Sequence, residues 1–259
     1  MSESWVHDIL EEVAPDVETP VSWLYWSMLC CISAVSANQY SLSSFKGNVQ
    51  YYPNLYVMLL GESGLGKGFP VNLAKRLVQQ AITTRVIAGR SSIQAIIKEL
   101  ATTKSENGKP LITDSRGFIV NGELSTAIIA DPDSLTILTD LYDRNYNPAW
   151  DNMLKGDGKE KLKEPYITCL FGSSPAHFYD SIPQANIEGG YIGRNLIIFE
   201  EVRSKDLDLL DSAEELIDLD KFNNYLAPKY VPHLLQIGKN NAKFKPTEGA
   251  KNAFNTWRR

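Results

Sequence analysis

Apolar positions along the chain fall into two rhythms that alternate in order. A continuous apolar run, Leu55 to Leu60, reads as a buried strand and gives way, after a glycine-rich break, to helical spacing from Val71 to Ala81. Thr84 to Ala88 is a second short strand, and Ser91-Ser92 caps a helix with Ile93, Ile96, Ile97 and Leu100 on one stripe. Gly117 to Asn121, Tyr166 to Phe171 and Asn195 to Phe199 are further apolar strands. Strands that alternate with helices predict the α/β class: a mainly parallel sheet flanked by crossover helices.

The remaining segments frame this core. Ser4 to Val13 is a short amphipathic helix with Trp5, Ile9 and Leu10 on one face, and Val21 to Ala37 is a second, uncharged helix opened by Pro20. At seventeen residues with four serines, it is short for a membrane span and reads as a buried helix. Residues 38 to 54 read as a hairpin or irregular segment, and Lys104 to Lys109 as a loop around Asn107-Gly108. Leu124 to Ala130 and Ser134 to Tyr142 are helical pieces around Asp131-Pro132. Gly156-Asp157-Gly158 is a hairpin signal, Phe178 to Ile182 begins a helix, and Lys205 to Asp220 is an acidic linker. Thr247 to Trp257 reads as a helix without a closing cap, so the chain reads as part of a larger protein. Three regions result: a helical N-terminal lead-in at 1–50, an α/β core at 51–204, and an acidic linker with a C-terminal helical segment at 205–259.

Composition narrows the chemistry. A net charge of −5 means that the surface as a whole does not advertise nucleic-acid binding, which must fall to local basic loops. Cys30, Cys31 and Cys169 have neither metal-ligand nor disulfide spacing, and His7, His177 and His233 are scattered. A reducing cytoplasm fits this usage, and the polar, acidic stretch from Ser2 to Glu12 is no signal peptide.

The break after Leu60 carries the strongest chemical signal. Gly61, Glu62, Ser63, Gly64, Leu65, Gly66 and Lys67 follow the strand, and Gly68 and Phe69 lead into the helix. A loop that wraps a polyphosphate turns successive backbone N–H groups inward, and side chains at the glycine positions would obstruct that approach. Lysine then balances β- and γ-phosphate charge, and the helix N-terminus adds its partial positive charge. Strand, Gly61-x4-Gly66-Lys67 and helix together predict a P-loop NTPase that binds ATP with Mg²⁺. One position departs from that pattern. The Ser or Thr that normally follows the lysine and binds Mg²⁺ is Gly68.

Four further groups are candidates around such a loop. Glu123, just past the Gly117–Asn121 strand, stands where a catalytic acid polarises the attacking water, while the preceding metal-binding Asp is replaced by Gly122, or by Asn121 in the other register. Two altered magnesium positions argue against fast hydrolysis. Ser173 or Ser174, at the end of the Tyr166 strand, would face the γ-phosphate as a sensor; Ser before Pro is also ordinary turn chemistry. Arg194, flanked by glycines, reads either as an arginine finger reaching a neighbouring subunit or as a brace of its own loop. Lys155, Lys159 and Lys161 decorate the hairpin, as a nucleic-acid contact or as a solvated lysine face.

Taken in this order, the helical lead-in, Tyr52-Pro-Asn-Leu-Tyr-Val, the glycine loop, Phe118-Ile-Val-Asn-Gly-Glu-Leu, Leu141-Tyr-Asp, Ser173-Ser-Pro and Gly189-Gly-Tyr-Ile-Gly-Arg resemble a family of helicase-like P-loop ATPases of phages, prophages and other mobile elements, long labelled a domain of unknown function. The resemblance spans most of residues 20 to 257. It implies a RecA-like or AAA+-like core that forms homo-oligomers, binds ATP between subunits and acts on single- or double-stranded DNA with other replication proteins. By position, Lys67 would bind phosphate, Glu123 would be the catalytic acid, Ser173 or Ser174 the sensor, Arg194 the finger, and the lysine hairpin a pre-sensor insertion. A nucleotide-binding adaptor or loader that does not hydrolyse ATP is the alternative, and a small-molecule kinase rests on Gly66-Lys67-Gly68 alone.

Overall fold

A computed structural model of the chain describes residues 4–44, 49–89, 91–102, 104–106, 109–112, 114–124, 133–144, 149–154, 158–182, 190–206 and 219–258. Its elements run, in chain order, α1 (Trp5–Val13), α2 (Val21–Ser36), β1 (Tyr40–Ser43), β2 (Gln50–Tyr51), β3 (Tyr56–Leu60), α3 (Gly68–Ala81), β4 (Arg85–Ala88), α4 (Ile93–Ala101), β5 (Lys104–Glu106), β6 (Lys109–Ile112) and β7 (Arg116–Asn121). Then follow α5 (Ser134–Asp143), β8 (Ala149–Leu154), β9 (Gly158–Lys163), β10 (Tyr166–Ser173), α6 (Pro175–Ser181) and β11 (Asn195–Phe199). A π-helical turn at Phe222–Leu226 runs into α7 (Ala227–Lys239), before β12 (Ala242–Phe244) and α8 (Glu248–Arg258).

The centre is a five-stranded sheet in the order β11-β3-β10-β7-β4, parallel at every pairing. β3 is buried at every position, because helices cover both faces of the sheet. On one face Val57 and Leu59 join Phe118, Val120 and Leu170 in a core shared with Trp23, Leu24 and Met28 of α2, Leu77 of α3, and Tyr230 and Leu234 of α7. On the other, Tyr56, Met58 and Leu60 join Ile119, Cys169 and Phe171 against Ile96 and Ile97 of α4, Leu138 of α5 and Phe178 of α6. Alternation along each strand thus divides one sheet between two cores.

Helix α2 lies within the first core, with Trp23, Leu24, Cys30, Cys31, Ala34 and Val35 fully enclosed. Its 16 residues match its burial against the sheet, and no helix among the described residues is long and apolar enough to cross a membrane. α1 packs on α2 and α7, with the Trp5 indole donating to the Tyr230 carbonyl.

Several boundaries differ from the sequence pattern for identifiable reasons. α3 starts at Gly68 rather than near Val71, because Pro70 falls in the first turn, where its missing N–H has no helical partner to lose. α6 starts at Pro175, with the Ser174 hydroxyl capping the His177 N–H. The segment expected to be a loop at 104–109 forms an antiparallel pair, β5 with β6. The hairpin predicted around Gly156 to Gly158 is present as β8 paired with β9, from Ala149↔Lys163 to Leu154↔Gly158. Lys155, Gly156 and Asp157, the helical piece at 125–130 and most of the acidic linker lie outside the described residues.

Candidate nucleotide-binding site

The glycine loop fills residues 61–67 between the C-terminal end of β3 and the start of α3. Gly64 and Gly66 take φ of +91° and +82°, a backbone region open to glycine and strained for other residues. Gly61 is small for another reason. A Cβ there would stand 2.6 Å from the Glu200 carbonyl oxygen and 2.8 Å from the Trp23 ring, which floors the loop while its own N–H donates to the Ile198 carbonyl at 3.0 Å.

Glu62, Ser63 and Gly64 are exposed at the loop crest, while Leu65 and Phe69 turn back to pack against the α2–α3 core. Lys67, immediately before α3, donates from Nζ to the carbonyls of Gly61 (2.6 Å) and Glu62 (2.8 Å), so the ammonium sits inside the curve of its own loop. Partial burial holds it below the ordinary lysine value, with Glu62 and Glu123 pulling the other way. Both residues lie at the C-terminal edge of the sheet, Lys67 after β3 and Glu123 after β7.

Register fixes how that edge is arranged. Leu60 pairs with Ser173 on β10 and with Phe199 on β11, and Phe171 pairs with Asn121 on β7. β7 ends at Asn121, and the chain bends there so that Gly122 lies over Gly172, which places Glu123 past the C-terminal end of a strand two away from β3. The acid's backbone is braced: its N–H donates to Asn121 Oδ1 (3.3 Å), Asn121 Nδ2 donates to the Gly89 carbonyl (3.3 Å), and the next N–H, of Leu124, donates to the Gly172 carbonyl (2.6 Å).

The two serines part company. Ser173 is enclosed between the loop strand and the acid strand, its carbonyl accepting from the Gly61 N–H (3.2 Å) and its hydroxyl donating to the Ser174 carbonyl (3.1 Å). Ser174 is engaged as the cap of α6. Arg194 forks onto Asp143 through Nε (2.6 Å) and Nη2 (2.5 Å) and donates from Nη1 to the Gly190 carbonyl (2.7 Å), tying its loop to the end of α5 within the chain. Lys161 is exposed on β9, and the Lys159 backbone pairs with Met153. The base of that hairpin is anchored at the N-terminal end of β7, where the Ser115 N–H donates to the Lys163 carbonyl. The lysine hairpin therefore springs from the sheet edge opposite the glycine loop.

Neither altered magnesium position is forced by packing. A Cβ at Gly68 or at Gly122 would meet nothing within 4 Å, and neither glycine has a left-handed φ. Among the described residues no group of three His, Cys, Asp or Glu could hold a metal, so a magnesium ion here would be held chiefly by phosphate oxygens and water. Trp23, Glu18, Thr19 and Arg203 also border the loop. Sequence offered no signal for them, since none is near the loop along the chain. No family model matches the chain, and no curated protein matches it.

Proposed function

We propose that the chain is an ATP-binding, oligomeric P-loop ATPase of helicase-like type that acts on DNA in phage or mobile-element replication or recombination, in the host cytoplasm with other replication proteins. One observation carries the nucleotide part: a glycine loop with two left-handed glycines, its lysine at a helix N-terminus, and a braced acid at the end of a strand on the same edge of the sheet. In this reading the loop N–H groups and Lys67 bind phosphate, Ser173 lies between nucleotide and acid, and Glu123 orients a water and accepts its proton. Magnesium, bridging phosphate oxygens, would supply charge neutralisation.

Action on DNA rests on the lysine-bearing hairpin and on the family resemblance. Oligomerisation rests on the same resemblance and on β11, an edge strand that follows Arg194 and exposes Leu196 and Phe199. A second copy docked there would draw Arg194 from Asp143 toward a neighbouring nucleotide. The alternative, an adaptor whose assembly ATP sets without hydrolysis, is favoured by Gly68 and Gly122, which leave both usual magnesium handles without a donor atom.

The test is phosphate release from ATP and Mg²⁺ by the purified chain, with and without single-stranded DNA. We expect DNA to stimulate release, Glu123→Gln to cut turnover by roughly a hundredfold or more with nucleotide binding kept, and Lys159→Ala with Lys161→Ala to remove the stimulation alone. Nucleotide binding without release in the unaltered chain would select the adaptor; absence of nucleotide binding would sink both.

A further inference from the structure

We infer that Arg203 is a second phosphate-binding cation of the glycine-loop site, supplied by the same chain; this rests on the nucleotide-binding proposal above. The geometry begins at β11. The Glu200 N–H donates to the Leu60 carbonyl at 2.9 Å, carrying the strand register one residue past Phe199, so the chain leaves the sheet alongside the first residue of the loop. The Glu200 carbonyl lies against Gly61, and the Glu200 carboxylate accepts from the Ser22 hydroxyl at 2.5 Å. Four residues on, the Ser204 N–H donates to the Glu18 carbonyl (3.0 Å) and its hydroxyl accepts from the Val21 N–H (3.1 Å). The segment 200–204 is thus fastened at both ends, and its path brings it past the loop crest.

Arg203 sits between these fastenings. Its Nη1 donates to Glu18 Oε2 at 2.6 Å, and its Nη2 donates to the Gly64 carbonyl at 3.1 Å, at the exposed crest with the left-handed φ. The side chain is 40% exposed, and these contacts use two of the five guanidinium N–H groups, leaving three that the described residues do not engage. Next to Glu18 in the chain, the Thr19 hydroxyl is enclosed against Gly66 without a hydrogen-bond partner among the described residues.

Charge balance supplies the reason. A triphosphate carries more negative charge than Lys67 balances, and Gly68 and Gly122 contribute no magnesium ligand. A planar guanidinium held at the loop crest by Glu18 would bind phosphate oxygens in the geometry that suits it best, opposite Glu123 across the loop strand. It would also leave the site less dependent on a tightly bound metal.

The experiment is equilibrium binding of ATP, ADP and AMP to the full chain, with Mg²⁺ and with EDTA, for the unaltered protein and for Arg203→Ala, Arg203→Lys, Glu18→Ala and Lys67→Ala. We expect Arg203→Ala to weaken ATP about tenfold in EDTA, the loss of one charge-assisted contact, ADP less, and AMP not at all, with partial recovery in Arg203→Lys. Glu18→Ala breaks the same ion pair but keeps the cation and should change ATP affinity by no more than a few-fold. Unchanged ATP affinity in Arg203→Ala, or an equal loss in Glu18→Ala, overturns the inference while Lys67→Ala still reports on the loop. An unaltered chain that binds no nucleotide overturns the underlying proposal itself.

Discussion

Cationic side chains gather at both edges of the five-stranded sheet, and the two edges use them in opposite ways. At the N-terminal edge Arg85 is 1% exposed and donates to the carbonyls of Asp114 (2.5 Å), Arg116 (3.2 Å) and Thr102. Arg116 forks onto the Asp114 carboxylate at 2.6 Å through both Nε and Nη2, and Asn38 donates to the same carboxylate. Arg144 lies 3.8 Å over the Tyr52 ring and donates to Asn38 Oδ1. At the C-terminal edge Lys67 and Arg203 also rest on carbonyls, but on those of a partly exposed glycine loop. A guanidinium buried among the carbonyls it holds is a brace, since moving it leaves an empty, desolvated position that water does not readily fill. A cation parked on exposed loop carbonyls can turn to a ligand while water takes its place. The difference between brace and site is what each group leaves behind when it moves.

The sharpest way to break this comparison is to delete the brace. Arg85→Ala removes the side-chain donor shared by the Asp114, Arg116 and Thr102 carbonyls and empties a buried position, and we expect a loss of about 3 kcal/mol or more, read as a fall in the urea midpoint at unchanged slope. A loss below about 1 kcal/mol would mean that water reaches this edge and that the two edges are alike. Next in size is Lys67→Ala, expected to weaken ATP by roughly a hundredfold, as for a charged partner lost from a phosphate site. Its urea midpoint should match that of the unaltered chain. A matching fall in stability would instead make Lys67 a second brace, holding the loop shut rather than awaiting a phosphate.

These two edges also differ in how far the sequence discloses them. The glycine loop is local: strand, glycines, lysine and helix are contiguous, so a continuous apolar run before Gly61 and helical spacing after Lys67 are enough to place it. The N-terminal edge is assembled from Asn38, Arg85, Asp114, Arg116 and Arg144, whose separations along the chain carry no pattern. The same limit hid Trp23 beneath Gly61 and Arg203 at the loop crest. Helix α7 escaped notice because Pro232 inside it and the π-helical turn before it break the helical period, and packing of Tyr230 and Leu234 restores what the local signal lacks. The pairing of β1 with β12 joins Tyr40 to Ala242, beyond any local signal, whereas Asn107-Gly108 between two short runs was a usable hairpin signal for β5 and β6.

The smallest expected effect tests whether the loop's departure from the common pattern is a lesion or an alternative. Gly68 opens α3, has no left-handed φ, and offers open space to a Cβ, so Gly68→Ser introduces a hydroxyl without strain. Stability should change by less than about 0.5 kcal/mol, as for an unstrained exposed substitution. If magnesium is held weakly because this donor is missing, the hydroxyl should lower the Mg²⁺ concentration needed for half-maximal turnover by on the order of tenfold, the scale on which single ligand-shell groups act. If the half-maximal concentration does not move, phosphates and water already saturate the metal. Part of the phosphate neutralisation that other loops obtain from a serine-ligated magnesium would then come from a cation on this edge, and the Arg203→Ala variant should be the one whose Mg²⁺ requirement rises.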